Sequence, residues 1–290
     1  MTPPPHDPKP GKSGATARST KAIDFFSATA GDYVVKHYDG HARTFMTVRQ
    51  QRVMQLIESL RLSKGAAVLD AGCGPGHIAI SLASQGLAVS ALDGAAGMLE
   101  IAERNAGTAS LATPIRFQQG DIEQLPYADH SFDVVVSTGV IEYLPDDAKV
   151  LGEFLRVLRP GGALILPVTN ANAPSLWLES TVEFLKRRRW LLAPFNAVWR
   201  RLGRTEIHPR HFVTRQHRVS DFLHSLERAG FTVEASGYFF LLPWPRPFDQ
   251  IAPRLTARFS ERLERHAIGR TERLGEGFIV LARRPSNLSR

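Results

Sequence analysis

Residues Val68 to Gly76, VLDAGCGPG, place an acid at the end of an apolar run and glycines at 72, 74 and 76. Glycine admits the left-handed backbone of a tight turn and lets the chain approach a ligand closely. The apolar run reads as a buried strand, and HIAISLASQG after the turn reads as the helix that packs back on a sheet. A dinucleotide site needs G-x-G-x-x-G with a pyrophosphate over the helix N-terminus. This chain has D-x-G-x-G-x-G, with His77 where the third glycine would fall. Asp70 beside such a turn repels a pyrophosphate and attracts a cation.

S-adenosyl-L-methionine (SAM) carries two cationic centres, an ammonium and a sulfonium, and suits that acid. Asp93 ends the next apolar run, as the second strand of a βαβ unit requires, and its carboxylate can take both hydroxyls of a ribose. A third strand ends at Asp121, a fourth spans Phe132 to Ser137, and LRPGGALILPVTN supplies a fifth after a Pro-Gly-Gly turn. With these motifs in this order the chain resembles the class I SAM-dependent methyltransferases, in particular the branch containing the ubiquinone and menaquinone methyltransferases. The resemblance is close over about residues 60 to 170 and looser in RVSDFLHSLERAGFTVEASGYFF and GFIVLARR.

That resemblance implies an α/β fold, a doubly wound, seven-stranded, mostly parallel sheet with an N-terminal helical cap and helical lid insertions. It puts the methionine moiety of SAM against Asp70, Gly72 and Gly74, with the carbonyl near Ser137 or Thr138 holding its amine. It gives the ribose to Asp93 and the adenine amino group to Asp121, with the Ile122 backbone facing the ring and Met98 against one of its faces. Where the family often has a serine two residues after the ribose acid, this chain has Ala95. In the quinone O-methyltransferases a histidine commonly follows the glutamate after strand four; here Tyr143 follows Glu142. A base for an oxygen acceptor is therefore sought in HPRHF, with His211 first and His208 second, while Tyr143 could orient the acceptor by hydrogen bonding.

Of the 290 residues 43% are apolar and 22% charged, the balance of a globular protein large enough for a sizeable core. The only cysteine, Cys73, lies in the glycine turn, so no disulfide forms within the chain and a reducing cytoplasm fits. No apolar run is long enough to span a bilayer. Residues 1–22, rich in Pro, Gly, Ser and Thr, read as a disordered tail ahead of a single methyltransferase domain, 23–290, with insertions at about 171–207 and 243–274. Residues 25–60 read as one or two helices of the cap, with Tyr33, Tyr38 and His41 as candidate substrate contacts.

The net charge of +8 is unevenly spread. Between Phe184 and Thr205 stand Lys186, Arg187, Arg188, Arg189, Arg200, Arg201 and Arg204 with no acid, alongside Trp190 and Trp199 and just after Trp177. A basic, amphipathic, tryptophan-bearing insertion after strand five can be a lid packed on its own domain, a contact with an anionic membrane surface, or a nucleic-acid patch. The segment after the fourth strand, STGVIEYL, contains no Asn-Pro-Pro or Asp-Pro-Pro turn of the kind used to hold a flipped base, which argues against nucleic acid.

The expectation is a cytoplasmic SAM-dependent methyltransferase, peripheral at the inner membrane face through residues 184–205. Its acceptor is expected to be small and hydrophobic or lipid-linked. O-methylation comes first and C-methylation of a quinone-like ring next, and no metal is called for. The alternatives are a SAM-binding protein without catalysis, attached to a membrane or partner, and a methyltransferase acting on protein or nucleic acid.

Overall fold

The strands carry two apolar faces, one for each side of the sheet. In β4 (Phe132–Val136) Val135 joins one buried cluster while Val134 and Val136 join another. In β5 (Leu158–Thr169) Leu164, Leu166 and Val168 separate from Ala163 and Ile165 in the same way. Side chains that alternate in direction but are apolar on both sides belong to a sheet covered on both faces. In the computed structural model residues 17–38, 44–176, 201, 214–241, 253–266 and 273–286 are described.

β1 (Ala67–Ala71), β2 (Ala88–Asp93), β3 (Ile115–Gln119), β4 and β5 run parallel, and β7 (Gly277–Arg283) is antiparallel to both β5 and β6 (Thr232–Phe239). The sheet order is β3-β2-β1-β4-β5-β7-β6, the doubly wound seven-stranded sheet expected from the sequence. Strand order reverses at β1, with β2 and β3 laid on one side and β4 and β5 on the other, which opens a crevice at the carboxyl ends of β1 and β4. The Pro160-Gly161-Gly162 turn lies within β5, where pairing with β4 shifts register and Gly161 has φ 78°.

α2 (Phe45–Ser59) and α3 (His77–Ser84) cover one face through Val53, Ile57, Ile78 and Leu82. α5 (Ala148–Val157) and α6 (Val219–Arg228) cover the other through Val150, Phe154, Phe222 and Leu226. α4 (Ala96–Thr108) sends Leu99 to the sheet and Met98 and Ile101 outward, where α1 (Ala17–Tyr38) meets them with Ala30, Phe26 and Tyr33. α1 begins inside the expected tail of 1–22, because Ser19, Ala22, Phe26 and Ala30 recur at helical spacing and Ser19, Ala22 and Ala30 are buried. Of the second insertion, residues Pro253–His266 form the helix α7. No helix among the described residues is long and apolar enough to cross a membrane.

Candidate active site

β1 ends on Asp70 and turns through Gly72, Gly74 and Gly76, at φ 79°, 52° and 83°, backbone that side-chain-bearing residues rarely adopt. Gly72 and Cys73 both donate their amides to Leu92 O, at 2.7 and 3.0 Å, so the turn hangs from the end of β2. At Gly72 a Cβ would overlap Val140, whereas nothing lies within 4 Å of a Cβ placed on Gly74. Open space therefore begins at Gly74.

Gly76, the N-cap of α3, has no side chain with which to cap it. Asp70 does so from the strand end: its Oδ2 accepts from Ala79 N at 3.1 Å. Asp70 is 1% exposed, its Oδ1 has no hydrogen-bond partner, and burial pushes its carboxyl from 3.8 up to about 7 despite the Ala79 amide and the Arg49 charge. Ser137, fully buried at the end of β4, also has an unpartnered Oγ. Neither residue is on the cavity wall.

The cavity occupies the crevice over Gly72, Gly74, Asp93 and Met98, and Asp121, Ile122, Thr138 and Tyr143 complete its wall. Asp93 Oδ2 accepts from Gly74 N and Oδ1 from Ala95 N, both at 2.8 Å. Burial pushes the Asp93 carboxyl up against the pull of these amides. A backbone amide at Ala95 supplies a donor to the acid even where the family's serine is missing. Asp121 Oδ1 accepts from Glu123 N at 2.9 Å. Met98 and Ile122 are 3% and 7% exposed, so they are core and cavity wall at once.

Two contributors were not singled out in the sequence. Arg49 of α2 is 8% exposed and reaches the cavity beside Gly139. Its guanidinium lies 5.9 Å from the Phe45 ring centroid, and no carboxylate stands within ion-pair distance of it among the described residues. The signal for it was a charged residue within the apolar stripe Phe45, Val48, Val53 and Ile57. The second is Phe26 of α1, which meets Tyr33 and Tyr143 edge-on at 5.4 and 5.2 Å and joins the N-terminal helix to the loop after β4.

Tyr33 and Tyr143 are thus brought together at the cavity. His41, His208, His211 and all but residue 201 of 184–205 lie outside the described residues, as does the side chain of Tyr38. A different histidine, His217, is buried with its Nε2 3.2 Å from Asp147 Oδ2, and Arg215 also pairs with Asp147. Burial raises the Asp147 carboxyl, but His217 and Arg215 outweigh it and hold the group below the ordinary carboxylate value. This cluster is off the cavity wall. Arg215 and His217, two apart in an extended segment, meet one acid, a pattern visible in sequence only once that acid is known.

A crevice at the switch point, a glycine turn tied to the Asp93 carboxylate and a buried acid with one unpartnered oxygen have the form of a nucleotide-cofactor site. Residues 69–166 match the family described as "Methyltransferase domain", and that part of the chain is a methyltransferase domain of the class I SAM-dependent type. It is 38% identical over 110 residues to the malonyl-[acyl-carrier protein] O-methyltransferase of Erwinia billingiae, covering 38% of this chain and 41% of that protein. It is 31% identical over 141 residues to the demethylmenaquinone methyltransferase of Paenarthrobacter aurescens, covering 49% and 53% respectively. The chain thus matches only about half or less of these relatives' length. Among solved structures, magnesium protoporphyrin IX methyltransferase of Synechocystis aligns with TM-score 0.61 at 18% identity, over 91% of this chain and 99% of that one, which shows a shared fold.

The residues present fit SAM, the cofactor of this family. Asp93 would hold the ribose hydroxyls, and Asp121 the adenine amine, with Met98 and Ile122 beside the ring. The unpartnered Asp70 Oδ1 would supply negative charge near the methionine end, and Arg49 would take its carboxylate.

Proposed function

We infer that the chain transfers the methyl group of SAM to a small hydrophobic or lipid-linked acceptor, by O-methylation first and C-methylation of a quinone-like ring second. The observation that carries this is the apolar part of the cavity wall. Phe26, Tyr33, Val140, Tyr143 and Leu144 line it with aromatic and aliphatic surface. Such a wall suits an apolar acceptor and keeps water out. The named activities of the two relatives, on a carrier-bound malonyl group and on a quinone, support the same two chemistries.

When bound, SAM supplies an electrophilic methyl group. This chain's part is alignment, holding donor and acceptor about 3 to 3.5 Å apart and in line. Asp93, Asp121 and Arg49 anchor the cofactor at three separate points, and Phe26 and Tyr143 close the acceptor side. Tyr143 is proposed to orient the acceptor by hydrogen bonding. For an oxygen acceptor, His211, or His208 in its place, is proposed to receive the proton. The proposed place of action is cytoplasmic, at the inner membrane face, with residues 184–205 as a basic contact surface.

The test is incubation with methyl-labelled SAM and a host lysate containing membranes, with an Asp93→Ala control. Control-dependent label in the organic-extractable fraction is expected. Label in protein or nucleic acid instead would overturn the acceptor class, and SAM binding without any transfer would favour a non-catalytic role.

A further inference from the structure

Among its described side chains, helix α7 (Pro253–His266) buries two small polar residues and exposes two large apolar ones. Its small polar side chains face in, with Thr256 6% and Ser260 1% exposed. Its two described apolar side chains face out, Leu255 53% and Phe259 50% exposed, one helical turn apart. Arg258, Glu261 and Arg262 are exposed beside them. The third large exposed hydrophobic among the described residues, Leu274 at 46%, belongs to the same connection between β6 and β7. Exposed apolar side chains that cluster in one stretch mark an interaction surface, whereas single ones scattered over a protein do not.

The topology places this stretch. β6 ends at Phe239 and β7 begins at Gly277, which pair with each other, and Gly277 also pairs with Thr169 at the carboxyl end of β5. The Asn170 side-chain amide donates to Arg273 O at 3.0 Å and Gly275 O at 2.8 Å, fastening the end of the connection there. Asp70 and Asp93 lie at the carboxyl ends of β1 and β2. The connection carrying α7 therefore leaves the sheet at the same edge that holds the candidate active site.

We propose that α7 docks this edge on an anionic phospholipid surface, with Leu255 and Phe259 entering the boundary between headgroups and acyl chains and Arg258 and Arg262 meeting the phosphates. Apolar side chains flanked by arginine on one exposed helix face have the chemistry of an interfacial helix, and the +8 charge of the chain adds long-range attraction to such a surface. This deepens the lipid-acceptor reading, on which it rests for its purpose: a docked edge would open the cavity towards molecules held in the bilayer.

The experiment is sedimentation of the full chain with vesicles of phosphatidylcholine alone or mixed with phosphatidylglycerol. Binding to the mixed vesicles is expected, weakened about tenfold or more by Leu255→Ser with Phe259→Ser. Arg258→Gln with Arg262→Gln is expected to weaken it about tenfold at low salt and to flatten its salt dependence. SAM affinity, read by calorimetry on the same variants, should stay at the wild-type value. Wild-type sedimentation of both double variants would overturn the proposal, as would capture by an acidic carrier protein with no vesicle binding. Vesicle binding that behaves as expected while no methyl transfer is found would instead sink the enzymatic reading and leave the docking surface standing.

Discussion

Asp93 Oδ2 accepts the Gly74 amide at 2.8 Å, so the acid proposed to bind the ribose also holds the glycine turn over which the methionine end of SAM would lie. One carboxylate would then serve both halves of the cofactor site. Its substitution should therefore cost more than two ribose hydrogen bonds.

Asp93→Ala is expected to weaken SAM binding by at least about 1–3 kcal/mol, the loss of charged hydrogen bonds, measured by calorimetry. Asp93→Asn keeps one carbonyl acceptor and should fall between the two. Unchanged affinity in Asp93→Ala would remove it from the site.

Two glycines separate folding from binding. At Gly72 an added Cβ overlaps Val140, and at Gly74 it meets open space, though both have positive φ. Gly72→Ala should lower the denaturation midpoint strongly. Gly74→Ala should cost about 1–2 kcal/mol of stability for its backbone and reduce SAM affinity further by filling the space the ligand needs. Equal stability loss in both would contradict this geometry.

The carboxyl of Asp70 is pushed from 3.8 up to about 7 by burial. Since its folded value lies above its unfolded one, its stabilising contribution is present in full at low pH and is lost as pH rises through about 7. A cationic ligand favours the ionised form. The rise in Tm caused by SAM should therefore grow between pH 6 and 8, and Asp70→Asn should flatten that growth; a pH-independent shift in the wild type would count against Asp70 acting on the cation from behind the wall.

Arg49→Met should lower SAM affinity about tenfold or more, because a charge-assisted hydrogen bond is lost. Arg49→Lys should restore only part of it, the ammonium being unable to form the planar two-point contact of a guanidinium. Full affinity in Arg49→Met would return this residue to a structural role.

The Asp147 carboxylate, shared by Arg215 and His217, lies off the cavity wall and joins the loop after β4 to the segment before α6. Its lowered proton affinity contributes stability above the ordinary carboxylate value, lost as pH falls below about 4. Asp147→Ala leaves the buried His217 and the partly exposed Arg215 without their acid and should cost about 1–3 kcal/mol in chemical denaturation. SAM affinity should change little, and a large change would show that the cluster acts on the site.

Between Val68 and Thr169 the sequence by itself determined the order of strands, the glycine turn and the acids at the strand ends. Those features are local: strand alternation, the positive φ of Gly72, Gly74 and Gly76, and the βα spacing are all written in neighbouring residues. The tail boundary was drawn too late because the composition of residues 1–22 masked the helical spacing of Ser19 and Ala22, whose partners lie on α4. What only the tertiary structure decided is which side chains meet across long separations. It put the Asp70 carboxylate onto the Ala79 amide, brought Arg49 and Phe26 to the cavity wall, buried His217 against Asp147, and turned Leu255 and Phe259 outward. Each of these depends on how helices from different parts of the chain pack against one sheet, and residue order alone does not encode that packing locally.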